Sequence, residues 1–371
     1  MAFKIIWKTI FFLTGFPLFV TLVASQDIVI EKSGGITVIK NPSEPIGDKE
    51  RTSKLTYEEE LSIRSVPQEG KPVFFDLSAV RADDDGNIYI LDPRAGTIHV
   101  FNKSGEYLRD IGRRGQGPGE LEMPVGLQVL TSMKSLIVTN PARLSYFSFS
   151  GEFHKHINHP WRDPVPQVDS RGDYIVRRQI FLDGKAKEEL VKYDQNMNEQ
   201  FVIAQIEKDG PNSGKKINFF PARLSFSVRN DDNIVWGITT DYALTIVDSQ
   251  GKIEFKIEKE YKPIKISDED KKKIISERFG GRAVPVSYEM PDHYPPYRDI
   301  RSDDTGKIYV GTYEFDQTGQ RYYDIFDEGG RYVAKLAFPS TPLFIKNNRF
   351  YCVLEDKDGN QTVTRYLMKW K

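Results

Sequence analysis

The chain has 371 residues, with 52 basic residues almost cancelling 53 acidic ones. That balance offers no basic surface for nucleic acid and no acidic tail, and the length suits one all-β repeat domain as well as two ordinary ones. A single cysteine, Cys352, excludes an intrachain disulfide and a cysteine-rich metal site, and its apolar surroundings read as a buried, inert thiol.

Residues 1–25 stand apart. Lys4 and Lys8 flank a short n-region, Thr9 to Ala24 is a charge-free apolar run, and the small residues Ala24 and Ser25 close it. This is the layout of a secretory signal peptide, so the protein is expected outside the cytoplasm, periplasmic or secreted. The apolar core holds Pro17 and is short for a membrane span. An uncleaved anchor is the alternative, and the only expected route to a membrane. Ser25 stands where a lipoprotein would need its lipid-bearing cysteine, so no lipidation is expected. Residues 26–73 follow, with two strand-like runs, Ile36 to Ile39 and Leu55 to Ile63.

From residue 74 to 371 one unit recurs six times. Its first hairpin turns fall at Gly86, Lys134, Gly172, Asp232, Gly306 and Asn348. Each is followed by a short apolar strand, such as Ile88-Tyr89-Ile90 or Ile308-Tyr309-Val310, and a second strand ending near an aromatic, such as Val100-Phe101 or Ile325-Phe326. A Gly turn and an outer strand complete most copies. Such a unit cannot bury its own apolar face and must stack on its neighbours. The expected fold is an all-β, six-bladed β-propeller with four-stranded blades. Ser267-Asp268-Glu269-Asp270 reads as a capping box, and Gly280-Gly281 as a stop, so one short helix over 267–279 is expected as an insertion in blade 4. The sixth copy ends without an outer strand. Either N-terminal run can complete it and close the ring, or add a further edge strand elsewhere.

The segment from Phe74 to Pro124 resembles an NHL repeat. The motifs are Ala82-Asp83-Asp84-Asp85-Gly86-Asn87-Ile88-Tyr89, Ile98-His99-Val100-Phe101, and Gly112-Arg113-Arg114-Gly115-Gln116-Gly117-Pro118-Gly119-Glu120 ahead of Pro124. The chain from about residue 28 to 371 is similar to secreted bacterial six-bladed propellers of the NHL type. Asn41-Pro42 and the stretch Arg298-Asp299-Ile300 onward also match that layout. The resemblance implies a fold and no reaction.

The chemistry-bearing residues have plain structural readings. The acidic turns at 83–85, 231–232 and 303–304 lack the spacing of a calcium loop and read as turn supports. His154, His156 and His159 form the one histidine cluster, on an expected outer edge with no cysteine nearby to complete a zinc site. The Gly-rich loop 112–119 lacks a P-loop ending. Arg171-Gly172-Asp173 coincides with a repeat turn. No catalytic set, metal site or cofactor is assigned.

A propeller works at its channel mouth, fed by the segments that lead into the inner strands. The candidate ligand-binding residues there are Asp76, Arg81, Arg162, Arg223, Tyr297, Arg298, Asp299 and Arg301. Converging arginines favour an anionic ligand or a carboxylate-bearing peptide. Alternatively they pair with Asp76, Asp163 and Asp299 and hold blades together. The expected function is a non-catalytic, monomeric binding module for a protein, peptide or glycan. The alternative is a propeller hydrolase or lyase, similar to lactonases or amidating lyases, which hold a metal in the channel.

Overall fold

A computed structural model describes residues 27–46, 55–65, 72–161, 165–182, 185–208, 217–280 and 287–370. The leader 1–25 and Arg162 lie outside the described residues. Six antiparallel sheets are arranged in chain order as blades. Their inner strands are Ala79–Ala82, Gly126–Leu130, Gln167–Val168, Leu224–Val228, Asp299–Ser302 and Phe344–Lys346. The fold is the expected six-bladed propeller, with strands as nearly all of its regular secondary structure among the described residues.

The second strand of each blade is an apolar run because it is covered on both faces. In blade 1, all five residues of Ile88–Asp92 are buried. Ile88 and Ile90 point to blade 6, while Tyr89 and Leu91 point to blade 2. That is the two-residue period of a strand set between two neighbours. The core follows the same plan: six apolar clusters each straddle one blade boundary, from blades 1 and 2 round to blades 6 and 1.

The turns explain the anchor residues. Gly86, Lys134, Gly172, Asp232, Gly306 and Asn348 all have positive φ, between 48° and 89°. Glycine takes this conformation without a steric cost, and Asn and Asp tolerate it better than most residues. The turn acids add hydrogen bonds. Asp303 Oδ1 accepts from the Thr305 and Lys307 amides, and its Oδ2 accepts from the Tyr309 hydroxyl at 2.9 Å. Asp83 serves Asn87 and Tyr89 in the same way.

Blade 6 takes its outer strand from the N-terminal side of the chain. Leu55–Arg64 pairs antiparallel with Gln361–Trp370, with Leu55 opposite Trp370. The other run has a different place. Ile36–Asn41 adds in parallel to the outer strand of blade 4, Ile253–Lys259, and Val29–Ser33 folds back on it as a hairpin. Asn41 is buried there and ties this addition to blade 5. Its Nδ2 donates to the Gly330 carbonyl at 3.0 Å and its Oδ1 accepts from the Tyr332 amide at 2.8 Å.

The one α-helix among the described residues, Asp268–Phe279, lies between the last strand of blade 4 and the first of blade 5. Ser267 caps it, with reciprocal bonds to Asp270, and Gly280 ends it in the left-handed conformation. Among the described residues, no helix is long and apolar enough to cross a membrane.

Candidate functional site

Two faces flank the channel. At one, each inner strand turns into the second strand; at the other, the chain leads into the inner strands. The turn face opens as a cavity of about 620 Å³ bordered by all six blades. Its polar groups bond from one turn to the next. Ser132 Oγ donates to the Ser170 carbonyl, and Ser170 donates to Asp232 through its amide and its hydroxyl, at 2.7 and 2.6 Å. Asn230 donates to the Asp304 carbonyl, Asp304 accepts from the Asn347 amide, and Lys346 pairs with Asp84. Blades 2 to 6, and blade 6 to blade 1, are thus linked by neighbouring turns. Beneath them lies a fully buried pair, Lys192 and Asp169 at 2.8 Å.

The middle of the channel is a cavity of about 320 Å³, again bordered by residues of six blades. Arg81, Gln167 and Arg301 each stand five residues before a turn glycine, so they occupy one level of blades 1, 3 and 5. Both amides at this depth are engaged. Gln128 donates to the Pro166 carbonyl, and Gln167 donates to the Phe226 carbonyl while accepting from the Val228 amide. Arg81 Nη1 donates to the carbonyls of Val80 and Leu343, at 2.8 and 3.2 Å, and its guanidinium lies 5.5 Å from the centre of the Phe344 ring. Arg301 Nε donates to Asp299 at 3.0 Å. Burial, and secondarily the charge of Arg301, pushes the Arg81 pKa down to about 10.

The lead-in mouth beside blade 5 is aromatic and cationic. Tyr294 and Tyr313 stack with centroids 4.6 Å apart, and Phe220 meets both edge-on. Arg321 lies over Phe315 at 4.5 Å and over Tyr313 at 5.7 Å. Its Nη1 donates to the Thr312 carbonyl. Burial lowers its pKa, and the neighbouring charge of Arg298 lowers it further. Arg298 is exposed, and among the described residues neither Arg298 nor Arg321 has a carboxylate partner. Val73, Phe75, Val165, Phe181, Leu182 and Phe315 are exposed apolar side chains of the same face, in lead-in segments or in hairpins that the topology places there.

Of the eight candidates, Arg298 is exposed at this mouth, Asp299 pairs with Arg301, and Arg81 and Arg301 border the channel cavity. Asp76 and Arg223 are exposed at the starts of blades 1 and 4, and among the described residues no ion pair joins either to Arg81, Arg298, Asp299 or Arg301. Arg162 falls outside the described residues. Tyr297 is a correction. It is fully buried between blades 4 and 5, against Tyr242, and its hydroxyl reaches the space where Gly237 would carry a Cβ. A side chain so enclosed offers nothing to a ligand at the mouth. Arg321 was missed because it lies in a middle strand and belongs to no turn or lead-in. Its signal was the alternation Tyr313, Phe315 across a hairpin from Arg321.

Other groups have local partners. His156 bonds Ser145, and His159 stacks on Trp161 at 4.8 Å and bonds the Asn140 and Trp161 carbonyls. The Gly-rich loop closes on its own carboxylate: Glu120 accepts from the Gly117 amide and pairs with Arg113. Arg171 pairs with Asp169 and Asp173 within its turn.

A family model described as a 6-bladed beta-propeller, DUF5128, matches residues 73–336. No curated protein matches the sequence. Among solved structures, the chain is similar to a Bacteroides fragilis protein taken to be exported, with a TM-score of 0.55 at 12% identity over 90% of this chain and 99% of that one. A Bacteroides vulgatus member of the DUF4221 family gives 0.52 at 12% identity, over 86% and 100%. A luciferin-regenerating enzyme gives 0.42 at 12% identity, over 83% and 95%. At these identities the likeness concerns the fold alone.

Proposed function

Taking as its premise that the chain belongs to the six-bladed β-propeller family DUF5128, we propose that this protein is a non-catalytic binding module acting outside the cytoplasm. Its ligand, a protein, peptide or glycan with an anionic group, docks at the lead-in mouth beside blade 5. One observation carries the reading. Arg321 lies over the Tyr313 and Phe315 rings, Arg298 is exposed at the same mouth, and among the described residues neither has a paired carboxylate. Two like charges kept together at a surface are unfavourable until an anion joins them. The aromatic rings supply apolar contact area, and the guanidinium groups supply directional donors to an oxyanion. The leader-like segment 1–25 supports the location.

The test is binding to arrayed peptides and glycans, each with and without carboxylate groups. Ligands retained by the wild-type protein are expected to be anionic. The double variant Arg298→Ala/Arg321→Ala should weaken them at least about tenfold, the loss of two charge-assisted contacts. Equal retention of neutral and anionic members, or equal binding by the variant, would overturn the reading. N-terminal sequencing of protein from the periplasm or medium tests the location: an intact Met1 in the membrane fraction counts against it.

A further inference from the structure

We propose that the middle of the channel is a second binding site, separate from the mouth, which takes an organic monocarboxylate held by Arg81 and Arg301. The cavity there is about 320 Å³, and among the described residues Arg81 and Arg301 are the only ionisable side chains on its wall. Asp299 pairs with Arg301 and neutralises one of the two charges. One positive charge is left over on the channel wall, so the matching ligand carries a single negative charge.

The donors are also left over. Arg81 uses Nη1 on two backbone carbonyls. A guanidinium has five N–H donors in a planar fork, and Nε and Nη2 of Arg81 have no acceptor among the described residues. The fork suits the two oxygens of a carboxylate. Gln128 and Gln167 are already committed to neighbouring strands and do not compete for it. The depressed Arg81 pKa fits this account, since burial beside a second cation opposes its charge.

The rest of the wall determines the body of the ligand. Phe226, Phe344, Leu343 and Val165 face the same cavity. An acid with an apolar body of benzoate size would cover these side chains while its carboxylate meets the arginines. An inorganic anion would leave them wet.

Sodium benzoate is the probe, with benzamide as its uncharged counterpart and sodium chloride at equal ionic strength as the screening control. Calorimetry and thermal denaturation are read on the full chain. Benzoate is expected to bind one to one and to raise Tm with concentration, as a ligand of the native state must. Benzamide and chloride should not, and Arg81→Gln should weaken benzoate at least tenfold. Benzamide acting as well as benzoate, or chloride reproducing the shift, would overturn the proposal without recourse to a variant. So would unchanged affinity in Arg81→Gln. Arg298→Ala/Arg321→Ala separates this site from the mouth. Loss of benzoate in that variant, with Arg81→Gln unaffected, would place the acid at the mouth and remove the channel site.

Discussion

The two faces of the ring treat charge in opposite ways. On the turn face, Asp84, Asp169, Asp232 and Asp304 are each engaged by a neighbouring turn or a buried lysine. On the lead-in side and in the channel, Arg81, Arg298 and Arg321 have no carboxylate partner among the described residues. Charges matched internally stabilise a structure and have little left for a ligand; unmatched ones have the reverse character. The difference teaches where to look. Acid-rich turns invite a metal hypothesis in the sequence, yet their acids are joinery, whereas scattered arginines converge.

The sharpest break of this contrast is at the buried pair. Lys192→Met leaves the enclosed Asp169 with the Arg171 and Asp173 amides and, among the described residues, Arg171 as its one remaining ion pair, and should cost about 3–5 kcal/mol in denaturant unfolding. A cost near zero would mean that the turn face does not depend on its charge matching.

A smaller, pH-dependent effect is expected at His99, which is buried in blade 1. Burial alone would lower its pKa, but the hydrogen bond to Asp110 at 2.7 Å, with Asp92 nearby, outweighs burial and holds it above the usual value. A group raised in the folded state adds stability below its unfolded pKa of about 6.5, and that stability is lost as pH rises through the folded value. The Tm gap between wild type and His99→Gln should therefore be widest near pH 5.5 and narrow towards pH 8.5. A gap that widens with pH would reverse the assignment.

The smallest effects compare one residue from each face. Asp304→Ala removes the acceptor of the Asn347 amide and should cost about 1 kcal/mol. Arg298→Ala removes no side-chain hydrogen bond or ion pair among the described residues and should stay within about 0.5 kcal/mol. Equal losses in the two would erase the distinction between the faces.

Much of the ring was legible because its signals are local. The positive-φ turns could be placed from Gly, Asn and Asp, and the blade strands from short apolar runs between them. Lys134 shows the limit, since its left-handed backbone follows a single 3₁₀ turn, Thr131–Met133, rather than any preference of lysine. The Ser267 cap likewise marked the helix. What depends on distant pairing was not legible. Nothing in Ile36 to Ile39 announces a parallel seat on blade 4, because the partner edge is formed by residues 253–259. Tyr297 sat among turn and lead-in residues and looked accessible, but a glycine opposite, Gly237, makes room for its ring. Arg81 and Arg301 were legible as candidates, while their shared level needed the turn glycines as a ruler.

The pairing of Leu55–Arg64 with Gln361–Trp370 also sets an order of assembly. Blades 1 to 5 take their four strands from contiguous chain, so each can form as it is made. Blade 6 cannot, because its outer strand is synthesised early and its partner last. Until then the early strand has no template, and the loop to be closed spans nearly the whole protein, which is costly in entropy and slow in rate. Completion of the ring is thus a late event, possible only once residues 55–370 have all been made.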